Sequence, residues 1–205
     1  MALEIPSSHV QEVVNELSKL PGIGHRTAMR LALYILNNDN LYALHLSDAI
    51  KNMIANVKHC KICNNISDTE ICGICSSTKR NKSMVCVVAN VRDFLAIEET
   101  GQYSGMYHVL GGVISPINGI GVSDIDISGF LTRISGDAGI KEIIFALPTT
   151  IEGETTALYL YKHLQNKDLT ISTIARGVAF GDELEYTDQV TLGRSITNRI
   201  TYKTM

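Results

Sequence analysis

Four cysteines, Cys60, Cys63, Cys72 and Cys75, form a Cys-x₂-Cys-x₈-Cys-x₂-Cys run, and no other feature of the chain limits its local backbone so tightly. Each Cys-x-x-Cys pair predicts a tight turn that aims two sulfurs at one point. Two such turns close a tetrahedral S₄ site, the arrangement Zn²⁺ prefers in structural centres. The second turn reads Cys72-Gly73-Ile74-Cys75, with glycine where such a knuckle often needs positive φ. Four thiolates leave no open coordination position, so a metal held here braces structure and does no chemistry. Two disulfides, four unrelated thiols or an iron–sulfur cluster compete for the same residues, and the paired turns favour zinc. Cys86 lies in the apolar run Met84–Val88 and reads as a small buried hydrophobe.

A hydrophobic fraction of 45% and a charged fraction of 19% are those of a folded globular chain, and 205 residues fit one large domain or two to three small ones. The start, Met-Ala-Leu-Glu-Ile-Pro, lacks the basic-then-apolar pattern of a signal peptide. No apolar run reaches the length of a membrane span. The expectation is a cytoplasmic, nucleoid-associated protein, and a reducing compartment again favours metal over disulfide. The net charge of −3 excludes a global basic field. Its distribution is uneven: residues 1–82 hold nine Lys/Arg against seven Asp/Glu, and the remainder nine against fourteen. Nucleic-acid contact therefore belongs to local features of the first third, and the acidic remainder suits a basic protein partner.

Ser8-His9-Val10-Gln11 predicts a capping box with Ser8 as the cap, opening a helix with Val10, Val13, Val14 and Leu17 on one face. Leu20-Pro21-Gly22-Ile23-Gly24 stops it. A second helix follows with Ala28, Leu31, Ala32 and Ile35 inward, ending at Asn37–Asn40. A third amphipathic helix carries Leu46, Ala49, Ile50, Met53, Ile54 and Val57 into Cys60. From residue 84 the texture alternates. Strands are expected at 85–89, 107–110, 142–147 and 170–175, with helices at 92–100, 125–134 and 154–164 and a weaker one at 188–200. Short apolar runs separated by helical patterns predict a mostly parallel sheet covered by helices.

The turn at 20–24 between two short helices matches a helix-hairpin-helix. Glycines Gly22 and Gly24 let a phosphate approach the backbone, and the next helix offers unpaired N–H groups and the positive end of its dipole. Arg26 and Arg30, about 40° apart around that helix, face outward beside the anion site, opposite Ala28, Leu31 and Ile35. His25 stands at the helix start and is weaker evidence. Contacts of this kind reach backbone and not base edges, so binding is expected to be sequence-independent and steeply salt-sensitive. An ordinary αα-turn with a solvated arginine face is the bland alternative.

With these motifs in order, the whole chain resembles the bacterial RecR family of recombination mediators. The resemblance rests on Leu-Pro-Gly-Ile-Gly at 20–24, the cysteines at 60–75, Glu98 to Gly112, Ile114 to Gly121, Glu152-Gly-Glu154 and Asp182-Glu-Leu-Glu-Tyr186. It implies an α+β multidomain chain: a helix-hairpin-helix domain over 1–56, a four-cysteine zinc finger over 57–80, a Toprim domain over 81–177 and a C-terminal oligomer-contact segment over 178–205. It further implies one structural Zn²⁺ and a non-enzymatic, homo-oligomeric DNA clamp, a dimer or tetrameric ring. That clamp acts with RecO and RecF to load recombinase onto single-stranded DNA coated by SSB. Leu33 and Tyr34, off the core face of the second helix, are candidates for burial between subunits.

Enzymatic Toprim domains place a glutamate after the first strand and an Asp-x-Asp pair after a later one, because Mg²⁺ takes hard oxygen ligands around phosphoryl chemistry. Here Ala89-Asn90 and Pro148-Thr149-Thr150 stand at those positions. Glu152 and Glu154 remain, and read as a docking surface for a basic partner or as solvated loop ends. Gly111-Gly112 and Gly119-Ile-Gly121 match no nucleotide-binding pattern and read as turns. A Mg²⁺-dependent nuclease or primase-like enzyme, and a zinc-braced adaptor that binds no DNA, are the rival functions.

Overall fold

The structure, a computed structural model, describes residues 6–165 and 167–201. The leader reading falls largely on residues 1–5, outside the described residues. Among the described residues no helix is long and apolar enough to cross a membrane. The chain divides into two compact units, Met1–Val57 and Lys58–Met205.

The first unit is built from α1 (Ser8–Ser18), α2 (His25–Asn37) and α3 (Asn40–Asn56). Helix α1 begins one residue earlier than its sequence suggests: Ser7, not Ser8, is the cap, and its hydroxyl accepts from Val10 N–H. Gln11 does not reach back to close a capping box; its amide donates to Asn15 one turn on. The small core is Val14, Ala28 and Ala32, with Val10, Leu17, Ile23 and Met29 around it. Two alanines on α2 leave room for α1 to sit close, so a few side chains suffice to join the pair.

Helix α3 departs from its expected amphipathic burial. It has no buried residue; Leu46, Ile50, Met53, Ile54 and Val57 are all exposed, Ile54 at 76%. The predicted stripe exists as a sequence pattern, but α1 and α2 close their core without it.

The second unit opens with a two-stranded antiparallel hairpin, β1 (Lys58–His59) and β2 (Ile66–Ser67), then one helical turn, α4 (Gly73–Ser76). Four parallel strands follow: β3 (Asn81–Val88), β4 (Gly105–Val109), β5 (Glu142–Ala146) and β6 (Thr170–Thr173), in the order β4-β3-β5-β6. Helices α5 (Val91–Glu99), α6 (Ile127–Gly136) and α7 (Ile151–Leu164) make the crossovers, and α8 (Gln189–Thr197) lies in the C-terminal segment. The chain is thus mixed α and β, with a helical N-terminal unit and a parallel sheet, as its patterning predicts. Central strand β3 ends in four consecutive buried residues, Val85–Val88, as a strand covered on both faces must. One face meets Phe94, Tyr107 and Val109; the other meets Leu110, Phe130, Ile143 and Leu160.

Register pairs Val88 with Ala146, so the turns leaving β3 and β5 emerge side by side at the carboxyl edge of the sheet. The chain leaves β3 toward β4 on one side and returns to β5 on the other, which makes this edge the topological switch point. Gly153 is obligatory there. A Cβ on it would overlap the Pro148 carbonyl oxygen, so α7 could not start so near the strand end with any other residue.

Candidate metal centre and nucleic-acid interface

The four cysteine sulfurs converge as their spacing predicts. All lie within 4.8 Å of one another, and Cys63 Sγ is 3.6 Å from Cys72 Sγ. A tetrahedral site with ~2.3 Å zinc–sulfur bonds needs sulfurs about 3.8 Å apart, whereas a disulfide needs about 2.0 Å. The geometry fits the metal, and none of the four is disulfide-bonded. Burial pushes the Cys60 thiol up, but N–H donors from Cys72, Ile62 and Cys63 outweigh it and bring it down to about 7. Cys63 is pushed well up by its hydrogen bond with Cys75 and by burial, and Cys72 is raised chiefly by burial. Cys86 stands apart, its buried thiol pushed up to about 12 by burial alone.

The knuckles are not alike, and the positive φ is in the first. Asn64 takes φ 58°, while Gly73 does not lie in the left-handed region and instead opens α4. A helical turn needs no left-handed residue, so the glycine expected to supply one is not used that way. Asn64 does more than turn the chain. Its side-chain amide donates to Val109 O at 2.9 Å, and Val109 N–H donates to Cys63 O at 2.8 Å. Val109 ends β4, an edge strand, so the knuckle takes up backbone groups that an edge leaves open. The cysteines also join the buried cluster of Val85, Val87, Leu110 and Ile114. Sequence reading missed Asn64; its signal was the Asn-Asn pair directly after Cys63, since asparagine tolerates this conformation best after glycine.

Two of the cations around the finger are already engaged. Arg80 pairs with Glu98 and also donates to the Tyr103 and Gly105 carbonyls. Lys61 pairs with Glu70 at 2.8 Å. Lys58 and Lys79 have no ion-pair partner among the described residues.

In the first unit the hairpin forms between α1 and α2. Gly22 takes φ +80°, so it is needed for its conformation. Gly24 is different. Its φ of −80° suits any residue, and an added Cβ would meet nothing within 4 Å. Gly24 caps α2 with no side-chain hydrogen bond, and the first turn carries no acidic residue. The other described helices of eight or more residues are capped by Ser7, Asp39, Asn90, Asp126, Thr150 and Asp188. The amides at the start of α2 are therefore bare. His25, Arg26 and Arg30 are exposed on the first turns of α2, as are Gly22 and Gly24 in the turn that precedes it.

At the carboxyl edge of the sheet the residues do not fit Mg²⁺. Ala89 offers no ligand. Asn90 spends its carbonyl oxygen capping α5 through the Arg92 and Asp93 amides, and Asp93 closes that capping box. Thr150 caps α7. Glu154, in the first turn of α7, pairs with Arg176, which leaves Glu152 as the freer carboxylate.

Family models match four consecutive stretches: the RecR helix-hairpin-helix over 10–54, the RecR four-cysteine zinc finger domain over 57–77, the Toprim domain over 83–175 and the RecR C-terminal region over 177–200. Curated relatives named Recombination protein RecR align along nearly the whole chain. That of Bacteroides fragilis is 51% identical over 202 residues, 98% of each chain. That of Flavobacterium johnsoniae is 49% identical over 201 residues, 98% of this chain and 97% of its own. That of Porphyromonas gingivalis is 45% identical over 199 residues, 97% of this chain and 96% of its own. The converging thiols accordingly form a four-cysteine zinc finger for one structural zinc, whose chemistry is to cross-link the two knuckles. Four-domain order, sulfur geometry and end-to-end identity agree that the chain belongs to the RecR family.

Proposed function

We propose that this protein is a non-enzymatic recombination mediator of DNA repair, a DNA-binding clamp subunit whose phosphate site is the start of α2. The observation that carries the reading is the bare helix terminus behind Gly24, with Arg26 and Arg30 beside it. Backbone amides and a helix dipole take an anion, and two arginines add charge without reading bases. Gly22, Gly24, His25, Arg26 and Arg30 are the proposed contact residues. The functional division is 1–56 for DNA, 57–80 for zinc, 81–177 for Toprim and 178–205 for oligomer contact.

Self-association into a dimer or ring lets weak sites add through effective concentration, which suits a chain of net charge −3. The uncovered stripe of α3 and the exposed Phe180, Leu184, Tyr186 and Ile196 support such contacts. RecO and RecF are the proposed partners, with recombinase loading onto SSB-coated single strands as the outcome. Glu152, with Glu154 held by Arg176, is the candidate docking point for a basic partner. The neutral residues Ala89 and Asn90 weigh against phosphoryl transfer. A salt titration of DNA binding tests the reading. Arg26→Ala/Arg30→Ala is expected to lose about tenfold in affinity and to flatten the salt dependence by about two ions. Equal binding by wild type and variant means the DNA site lies elsewhere.

A further inference from the structure

Arg26, Arg30 and Tyr34 recur every fourth residue along α2. Each step turns about 40° and rises about 6 Å, so the three form one slowly winding line about 12 Å long, starting at the bare amides. Tyr34 is 57% exposed. Against it stands Tyr42 of α3, 45% exposed, with ring centroids 6.0 Å apart and planes at 88°. The turn between them is locked. Asn38 donates its side-chain amide to Tyr34 O at 2.7 Å, and Tyr42 N–H donates to Asp39 O at 2.9 Å. Edge-to-face packing leaves at least one ring face open. Helix α2 carries no acidic residue, so the line is cationic at one end and aromatic at the other.

We propose that Tyr34 and Tyr42 form a base-stacking platform that continues the phosphate track of Arg26 and Arg30. The hairpin unit is then built for single-stranded DNA. Exposed aromatic rings beside a cationic backbone track are how single strands are held without sequence preference, because every base has a π-face. A duplex keeps its bases stacked inward and offers the rings nothing. This inference rests on the reading of the hairpin as the DNA site, and it can fail while that reading stands.

Fluorescence anisotropy on the full-length zinc-loaded protein decides between them, using a single strand, a duplex of equal length and an abasic strand lacking bases. Tyr34→Ala/Tyr42→Ala should weaken single-strand binding about tenfold. Its duplex and abasic binding should stay within about twofold of wild type, and Tyr34→Phe/Tyr42→Phe should restore the single strand. Unchanged single-strand affinity, or equal loss on all three ligands, overturns the platform. Arg26→Ala/Arg30→Ala should weaken all three ligands. If it weakens none, the hairpin site itself is wrong, and the platform goes with it. A lower light-scattering mass for the tyrosine-to-alanine variant would mean that the rings are buried between copies, which also overturns the proposal.

Discussion

Gly22 and Gly24 are two residues apart and do different work. The first is conformational: its φ of +80° would strain any side chain. The second is permissive, since a side chain fits but would cover the bare amides. Gly24→Asp separates stability from binding. An aspartate at this position caps the helix and stabilises it by a few tenths of a kcal/mol. It also puts a carboxylate at the proposed phosphate site, so on that proposal DNA affinity should fall by about tenfold or more. Thermal denaturation and anisotropy on the same variant check both halves. A stabler variant that binds DNA normally would exclude the helix start as the phosphate site. The turn at 20–24 was legible in the sequence because it is local. Asn64 was not, because its role depends on Val109, 45 residues away.

Among elements, Arg80 joins three that are distant in sequence: the start of β3, the end of α5 and the entry to β4. Its hydrogen bond holds the Glu98 carboxyl below the ordinary carboxylate value against the opposing effect of burial. A depressed carboxylate contributes stability that is full above its unfolded pKa and is lost as pH falls through the folded one. Glu98→Gln should therefore cost about 1–2 kcal/mol at neutral pH. Thermal melts of variant and wild type should converge as pH drops below the ordinary carboxylate value of 4.5. A gap that persists in acid means the pair is not the source. The strands themselves were readable as apolar runs, and α5 and α7 as the patterns between them. Arg80's partner was not, since no periodicity records which acid a folded chain brings alongside. Helix α3 shows the converse: a legible stripe that stays exposed among the described residues.

At the scale of the molecule, the zinc finger and sheet share one compact unit and one buried cluster. Metal removal should loosen the sheet as well as the finger. Cys86 reports this, because it lies in central strand β3, is 2% exposed and is not part of the quartet. With zinc bound, its buried thiol should resist alkylation. After chelation, peptide mapping should find Cys86 labelled, with the thermal transition lowered. Protection of Cys86 after full zinc loss would confine the metal's role to the knuckles.

By itself the sequence determined the donor set of the metal, the proline–glycine turn that parts α1 from α2 and the absence of a carboxylate at residues 89 and 90, because residue identity and short spacing settle such matters. Only the tertiary structure decided that the finger seals the end of β4, that Arg80 and Lys61 are already paired, and that Tyr34 meets Tyr42. Those are contacts between separate elements. They follow from how helices and strands close on one another, which local pattern does not encode.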